Sequence, residues 1–266
     1  MARRAALAVF VAGWLVAGCS AVADDDRSGS EPARQAPDPA DVAPGPDDGD
    51  GPWLLTAAST SASASASAER IVDRPTFAGD HRDLDAATRG RMVDVSWRPS
   101  CPVSLDDLRL LEVDHWGFDR QVRRGEMVVH VDHAGAVVEV FRELFEARFP
   151  IERMQLIDDF DGSDDASMAA NNSSGFNCRT VTAGAAWSQH ASGLAIDINP
   201  VQNPYVGADG EVHPPAGRSH TDRSQHVDGM IHPDGPVVRA FERAGWSWGG
   251  EWTSLKDYHH FSSTGR

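Results

Sequence analysis

The residues best suited to chemistry lie in two short stretches. The first is Ser188-Gln189-His190-Ala191-Ser192-Gly193-Leu194-Ala195-Ile196-Asp197-Ile198-Asn199. In an extended chain Leu194, Ile196 and Ile198 face one way and Ala195, Asp197 and Asn199 the other. This places a carboxylate on the open face of a strand whose other face is core. His190 lies seven residues before Asp197, across a turn that Gly193 permits. The second stretch is Asp257-Tyr258-His259-His260-Phe261. Two imidazoles and one carboxylate hold a divalent cation and leave a fourth position for water, the arrangement of a catalytic zinc. A water so held has its pKa lowered to about 7. A non-haem iron site uses the same donor set. Chance pairs are expected among eleven histidines, and His130-Val131-Asp132-His133 reads as one, at a strand end. His213, His220, His226 and His232 read as loop residues. Gly245-Trp246-Ser247-Trp248-Gly249 fits a nucleophile elbow in letters, but that elbow needs a strand before it and a helix after it, and here a helix precedes. No Ser-x-x-Lys is present.

These residues need a frame. Short β-branched or apolar runs predict strands at 127–131, 153–157, 179–182, 194–198 and 258–261. Apolar residues at Val137, Val138, Phe141, Leu144 and Phe145 recur at helical spacing and predict a helix over 134–149, ended by Pro150. A polar loop follows at 158–165, and a second helix is expected over 236–244, stopped by Gly245. Few helices and short strands without regular alternation indicate an α+β fold, a small antiparallel sheet flanked by helices. In a regular strand Asp257 and His260 would point to opposite faces, so a turn or bulge must begin the last strand.

Net charge is −16 and the pI about 4.9, which argues against nucleic acid as a partner. Part of the acidity is local: nine acidic residues stand against Arg27 and Arg34 between Asp24 and Asp50. Residues 1–19 read as a signal peptide, with Arg3 and Arg4 ahead of an apolar run too short to span a bilayer. Val16-Ala17-Gly18-Cys19 resembles a bacterial lipobox, with Cys19 as the lipidated residue; the alternative is an ordinary secretory signal. Residues 20–79, rich in Asp, Pro, Gly, Ala and Ser, read as a flexible tether, and 80–266 as the folded domain. With Cys19 lipidated and the protein exported, Cys101 and Cys178 are expected to pair as a disulfide, the alternative being two separate thiols.

The pattern Ser-x-His-x-x-Gly-x-Ala-x-Asp, from Ser188 to Asp197, resembles the zinc motif of the D-Ala-D-Ala carboxypeptidase and dipeptidase family (peptidase family M15), which includes the vancomycin-resistance enzymes. The resemblance runs from about residue 95 to 261. It takes in Phe141-Arg142-Glu143-Leu144, Phe149-Pro150-Ile151, Asn171-Asn172-Ser173-Ser174-Gly175-Phe176-Asn177-Cys178-Arg179, Asn199-Pro200-Val201-Gln202-Asn203-Pro204-Tyr205 and Gly245-Trp246-Ser247-Trp248-Gly249-Gly250-Glu251-Trp252. It implies a Hedgehog/D,D-peptidase-like zinc peptidase fold with one Zn2+ per chain, held by His190, Asp197 and His260. His260 is favoured over His259 because the family's ligand directly precedes the Phe. Asp257 would be the general base, where many relatives carry Glu. Arg179 would hold the substrate carbonyl or carboxylate, with a structural salt bridge as the alternative, and Ser188 would hydrogen-bond within the substrate site or serve structure. The implied substrate is a peptidoglycan stem peptide, cut as a D-alanyl-D-alanine carboxypeptidase. The alternatives are an L-Ala-D-Glu type endopeptidase and a non-catalytic, zinc-stabilised wall-binding module. The setting would be the extracytoplasmic face, with membrane contact through the lipid anchor only.

Overall fold

Strands β1 (Gly79–Asp83), β2 (Leu108–Trp116) and β3 (Val122–His130) form an antiparallel sheet in that order. They belong to a computed structural model of the chain, which describes residues 75–181 and 184–265. The expected signal segment, Cys19 and nearly all of the expected tether lie outside the described residues. Register runs from Leu108 opposite His130 to Trp116 opposite Val122. Alternation sends Leu111, Val113, Met127 and Val129 into one apolar cluster and Leu108, Leu110 and Val128 into another. The β2–β3 ribbon is thus buried on both faces, which blurs the in-out pattern expected of a one-sided strand. β1, β2 and the helix α1 (Ala86–Met92) occupy a stretch where the sequence reading assigns no element.

The helix expected over 134–149 forms as α2 (Ala134–Glu146) and stops short of Pro150. Arg148 takes φ 54°. The Arg148 N–H then reaches Phe145 O and the Phe149 N–H reaches Leu144 O, closing the end as a Schellman motif. The helix α4 (Pro236–Arg243) begins on Pro236 and ends the same way, with Gly245 at φ 80° and the Trp246 N–H on Phe241 O. Val137, Phe141, Val237 and Phe241 from the two helices share the first cluster with Ile196, Ile198, Trp246, Trp248 and Phe261.

Between the helices the expected strands shrink. The 153–157 strand is only β4 (Arg153–Met154), paired in parallel with β5 (Asn172–Ser173). The expected polar loop holds a 3-10 turn, Ile157–Phe160, and the start of α3 (Asp164–Ala169), capped by the Ser163 side chain. No strand forms at 179–181; the one bridge there is Thr180 to Trp187, on an exposed excursion with no third strand to extend it.

The C-terminal half carries β6 (Ala195–Asp197), β9 (Ser247–Trp248) and β11 (His260–Ser262) in the antiparallel order β6-β11-β9. A second small sheet joins β7 (Tyr205–Val206), β8 (Val212–His213) and β10 (Lys256–Asp257). The single sheet of the sequence reading is therefore several small antiparallel sheets plus one parallel pair, in a mixed α+β fold. Cys101 and Cys178 are disulfide-bonded with Cα atoms 5.8 Å apart, clipping segment 174–179 to the loop after α1. Among the described residues no helix is long and apolar enough to cross a membrane.

Candidate metal centre

In β6 and β11, Asp197 and His260 are direct cross-strand partners. Antiparallel register sets opposed side chains on the same face of the sheet, so 63 residues of chain close on one pair. His260 Nδ1 lies 3.1 Å from Asp197 Oδ1. His190 comes from a 3-10 turn, Gln189–Ser192, whose N-cap is Ser188, with its Oγ accepting the His190 N–H. Gly193 ends that turn at φ 68°, and a Cβ there would meet His130 N at 2.6 Å. No side chain fits at residue 193, since the Gly193 carbonyl itself accepts the His130 N–H of β3. His190 Nε2 then sits 3.2 Å from Asp197 Oδ2 and 3.3 Å from His260 Nδ1.

These three residues are all buried, and their donor atoms lie within 4.8 Å of one another. Metal–donor bonds of about 2.0–2.1 Å in a tetrahedron require donors about 3.3–3.4 Å apart. Separations of 3.1–3.3 Å fit a cation of zinc's size and donor preference. The outer contacts fit as well. His190 Nδ1 donates to Gly175 O at 2.7 Å, which fixes the tautomer and leaves Nε2 as the ligand atom. The Asp197 backbone exchanges two hydrogen bonds with Ser174, so the carboxylate is anchored from both neighbouring segments.

The carboxylate does not stand on an open face, as strand alternation alone suggests. Asp197 is 2% exposed, covered by the imidazoles that converge on it. Burial alone would raise its pKa, but His190, His259 and His260 hold it well below the ordinary value. Burial likewise opposes charge on His260, yet the Asp197 hydrogen bond and charge raise its pKa. His259 follows the same balance: burial lowers it, while Asp257 and Asp197 outweigh burial and bring it to about 9. Metal binding needs neutral imidazoles, so a cation entering here displaces protons.

With this geometry in hand, a comparison with family models decides the relationship: residues 182–263 match the model described as D-alanyl-D-alanine carboxypeptidase. That segment is what the chain shares with the D-alanyl-D-alanine carboxypeptidase family model. It contains the three clustered residues and Asp257. No curated protein and no solved structure gives a match to the chain.

The other expected site residues fall out differently. Asp257 ends β10, and bends at Tyr258 and His259 separate it from β11, the break that the opposite-face argument requires. It is half-buried, and its Oδ1 lies 2.9 Å from His259 Nε2, an ion-pair distance off the line of a formed hydrogen bond. Its charge also acts on His260. Arg179 pairs with Asp164 Oδ2 at 2.9 Å, the salt bridge weighed as the alternative to substrate binding. The charge of Asp164 also acts on His259. Ser188 is buried and caps the His190 turn. Ser247 of the elbow-like motif is exposed on β9 and is followed by a 3-10 turn, Gly249–Glu251, instead of an α-helix. His130 and His133 are half-buried, with ring centroids 6.4 Å apart, and stand outside the centre.

Sequence reasoning missed Asn203, which locks the floor of the site. Its Nδ2 donates to the carbonyls of Ile198, Asn199 and Gly229, and its Oδ1 accepts from Ile231 N and Arg223 Nη2. An Asn in a Pro-rich stretch signals a turn, and nothing in the local sequence announces five partners.

Proposed function

We propose that the chain is a zinc-dependent peptidase that releases the terminal D-Ala of peptidoglycan stem peptides. The observation that carries this reading is the buried convergence of His190 Nε2, the Asp197 carboxylate and His260 Nδ1 inside the carboxypeptidase-family segment. These three side chains would hold the zinc. When bound, zinc supplies Lewis-acid chemistry and brings the pKa of a water to about 7. Asp257 would accept the proton of the attacking water on its carboxylate and pass it to the leaving amine. Arg179 would turn its guanidinium from Asp164 to the substrate carbonyl or carboxylate, where a planar fork suits two oxygens. Ser188 would act by holding the His190 turn.

The disulfide fits an oxidising, extracytoplasmic compartment. We extend the proposal to a lipid anchor on Cys19, on the strength of Val16-Ala17-Gly18-Cys19 alone. Intact mass of membrane-extracted protein tests it: an unmodified Cys19 would remove the anchor.

The test of function is incubation of the zinc-loaded protein with stem peptides ending in D-Ala-D-Ala, read by mass spectrometry, with His260→Ala and Asp257→Ala as controls. Loss of one terminal D-Ala, absent in both controls, is the expected result. An internal cut would make the enzyme an endopeptidase. Bound zinc without cleavage of any stem peptide would make it a wall-binding module.

A further inference from the structure

His259 is one residue from the ligand His260 and is itself 4% exposed. Its backbone carbonyl accepts the Ile198 N–H, which continues the β6–β11 pairing and fixes where the ring starts. Its Nδ1 lies 2.8 Å from the backbone carbonyl of Asn203. A carbonyl only accepts, so Nδ1 carries a hydrogen, and the ring is pinned to the segment that the Asn203 side chain immobilises. Nε2 then lies at ion-pair distance from Asp257 Oδ1, 2.9 Å away, with Asp197 Oδ2 at 3.9 Å. The backbone of Asp257 is held by pairing with Tyr205 in β7. Its side chain, among the described residues, has His259 as its ion-pair partner.

We propose that His259 is a positioning residue that bridges the Asn203 carbonyl to the Asp257 carboxylate and so sets the rotamer of that carboxylate beside the metal centre. The proposal rests on the peptidase reading in one respect, that Asp257 acts as the base. A group acting through another in this way changes turnover and leaves substrate binding alone.

Two amide substitutions separate the two ends of the bridge. In His259→Asn the amide can replace Nδ1 but is too short to reach Asp257, whereas in His259→Gln it reaches the Nε2 position. In the full-length, zinc-loaded protein, His259→Asn is expected to lower kcat on stem peptides by about 10- to 100-fold, with KM within twofold of wild type. His259→Gln is expected to recover at least tenfold of that loss, with zinc content equal in all three proteins. Equal kcat losses in both variants, or a change confined to KM, would overturn the proposal. If the wild type cuts no stem peptide, the peptidase reading fails and the bridge is read directly instead. The 15N resonance of His259 Nε2 in the wild-type protein should then move in Asp257→Asn, and an unmoved resonance overturns the bridge.

Discussion

Replacing Asp197 by Asn tests the metal centre with the least change of shape. The carboxylate supplies the one negative charge among the three clustered residues, lies 2% exposed, and stands 3.1–3.2 Å from the donor nitrogens of His260 and His190. Asn keeps one carbonyl oxygen in place but removes that charge. Disturbing an outer partner of a metal ligand costs about 10- to 100-fold in affinity, so loss of an anionic ligand should cost at least about 100-fold, or about 2.7 kcal/mol. At a free zinc concentration 1,000 times the wild-type Kd, zinc stabilises the wild-type fold by about 4.1 kcal/mol. The variant, then at only about ten times its own Kd, gains about 1.4 kcal/mol. Two assays read this: competition against a chromophoric chelator, and urea unfolding with and without zinc. The sign of the pH dependence follows from His260. Its pKa is raised by Asp197, so zinc must displace its proton, and wild-type affinity climbs as pH rises through the His260 pKa. In the Asn variant the charge that raises that pKa is gone, and burial, which lowers it, is left without this opponent, so the climb should move to lower pH. Zinc affinity in Asp197→Asn within threefold of wild type would refute the assignment of these residues as the metal site.

Other consequences can be checked separately. Asn203→Ala strands the buried Ile231 N–H and the carbonyl of Ile198, at about 1–3 kcal/mol for each group left unpaired; urea unfolding should show a loss of at least about 2 kcal/mol, a large part of an ordinary domain's stability. The disulfide spans 77 residues, and the chain-entropy estimate for a loop of that length is about 4.5 kcal/mol, so the double variant Cys101→Ser with Cys178→Ser should unfold at correspondingly lower urea. His115 is buried and burial lowers its pKa, so the unfolded chain takes up a proton first as the medium is acidified. Stability present above pH about 6.5 should therefore be lost below it, at up to about 1.4 kcal/mol per pH unit, and His115→Phe should flatten that slope in urea titrations.

How far the sequence discloses this arrangement depends on the range over which each feature is specified. His190 and Asp197 sit seven residues apart around Gly193, and a short motif captures a local turn and strand well. The ends of α2 and α4 are legible to within a few residues, because Pro150, Pro236 and Gly245 act locally. The two-residue strands β7, β8 and β10 are too short to carry a period. The salt bridge of Arg179 with Asp164 and the hydrogen bonds of Asn203 are side-chain meetings across the fold, invisible to spacing. The burial of Asp197 is partly of the same kind, since two of the imidazoles that cover it, His259 and His260, come from more than 60 residues away.

Spacing alone also leaves open which of two adjacent histidines faces Asp197, and the core explains why His260 does. A slip of β11 by one residue against β6 would set His259 opposite Asp197 in place of His260. Phe261 opposes that slip. It is fully buried, stacks on Phe241 with ring centroids 4.0 Å apart, and packs beside Trp248 of β9. Shifting it would move its side chain to the other face of the sheet and leave a void under α4, a change that costs about 3–5 kcal/mol when a buried Phe is lost. On the proposed reading the ligand would be the residue before the phenylalanine, because the phenylalanine fixes the register. His259 is left facing Asn203 and Asp257, where an imidazole can orient a carboxylate that it does not replace.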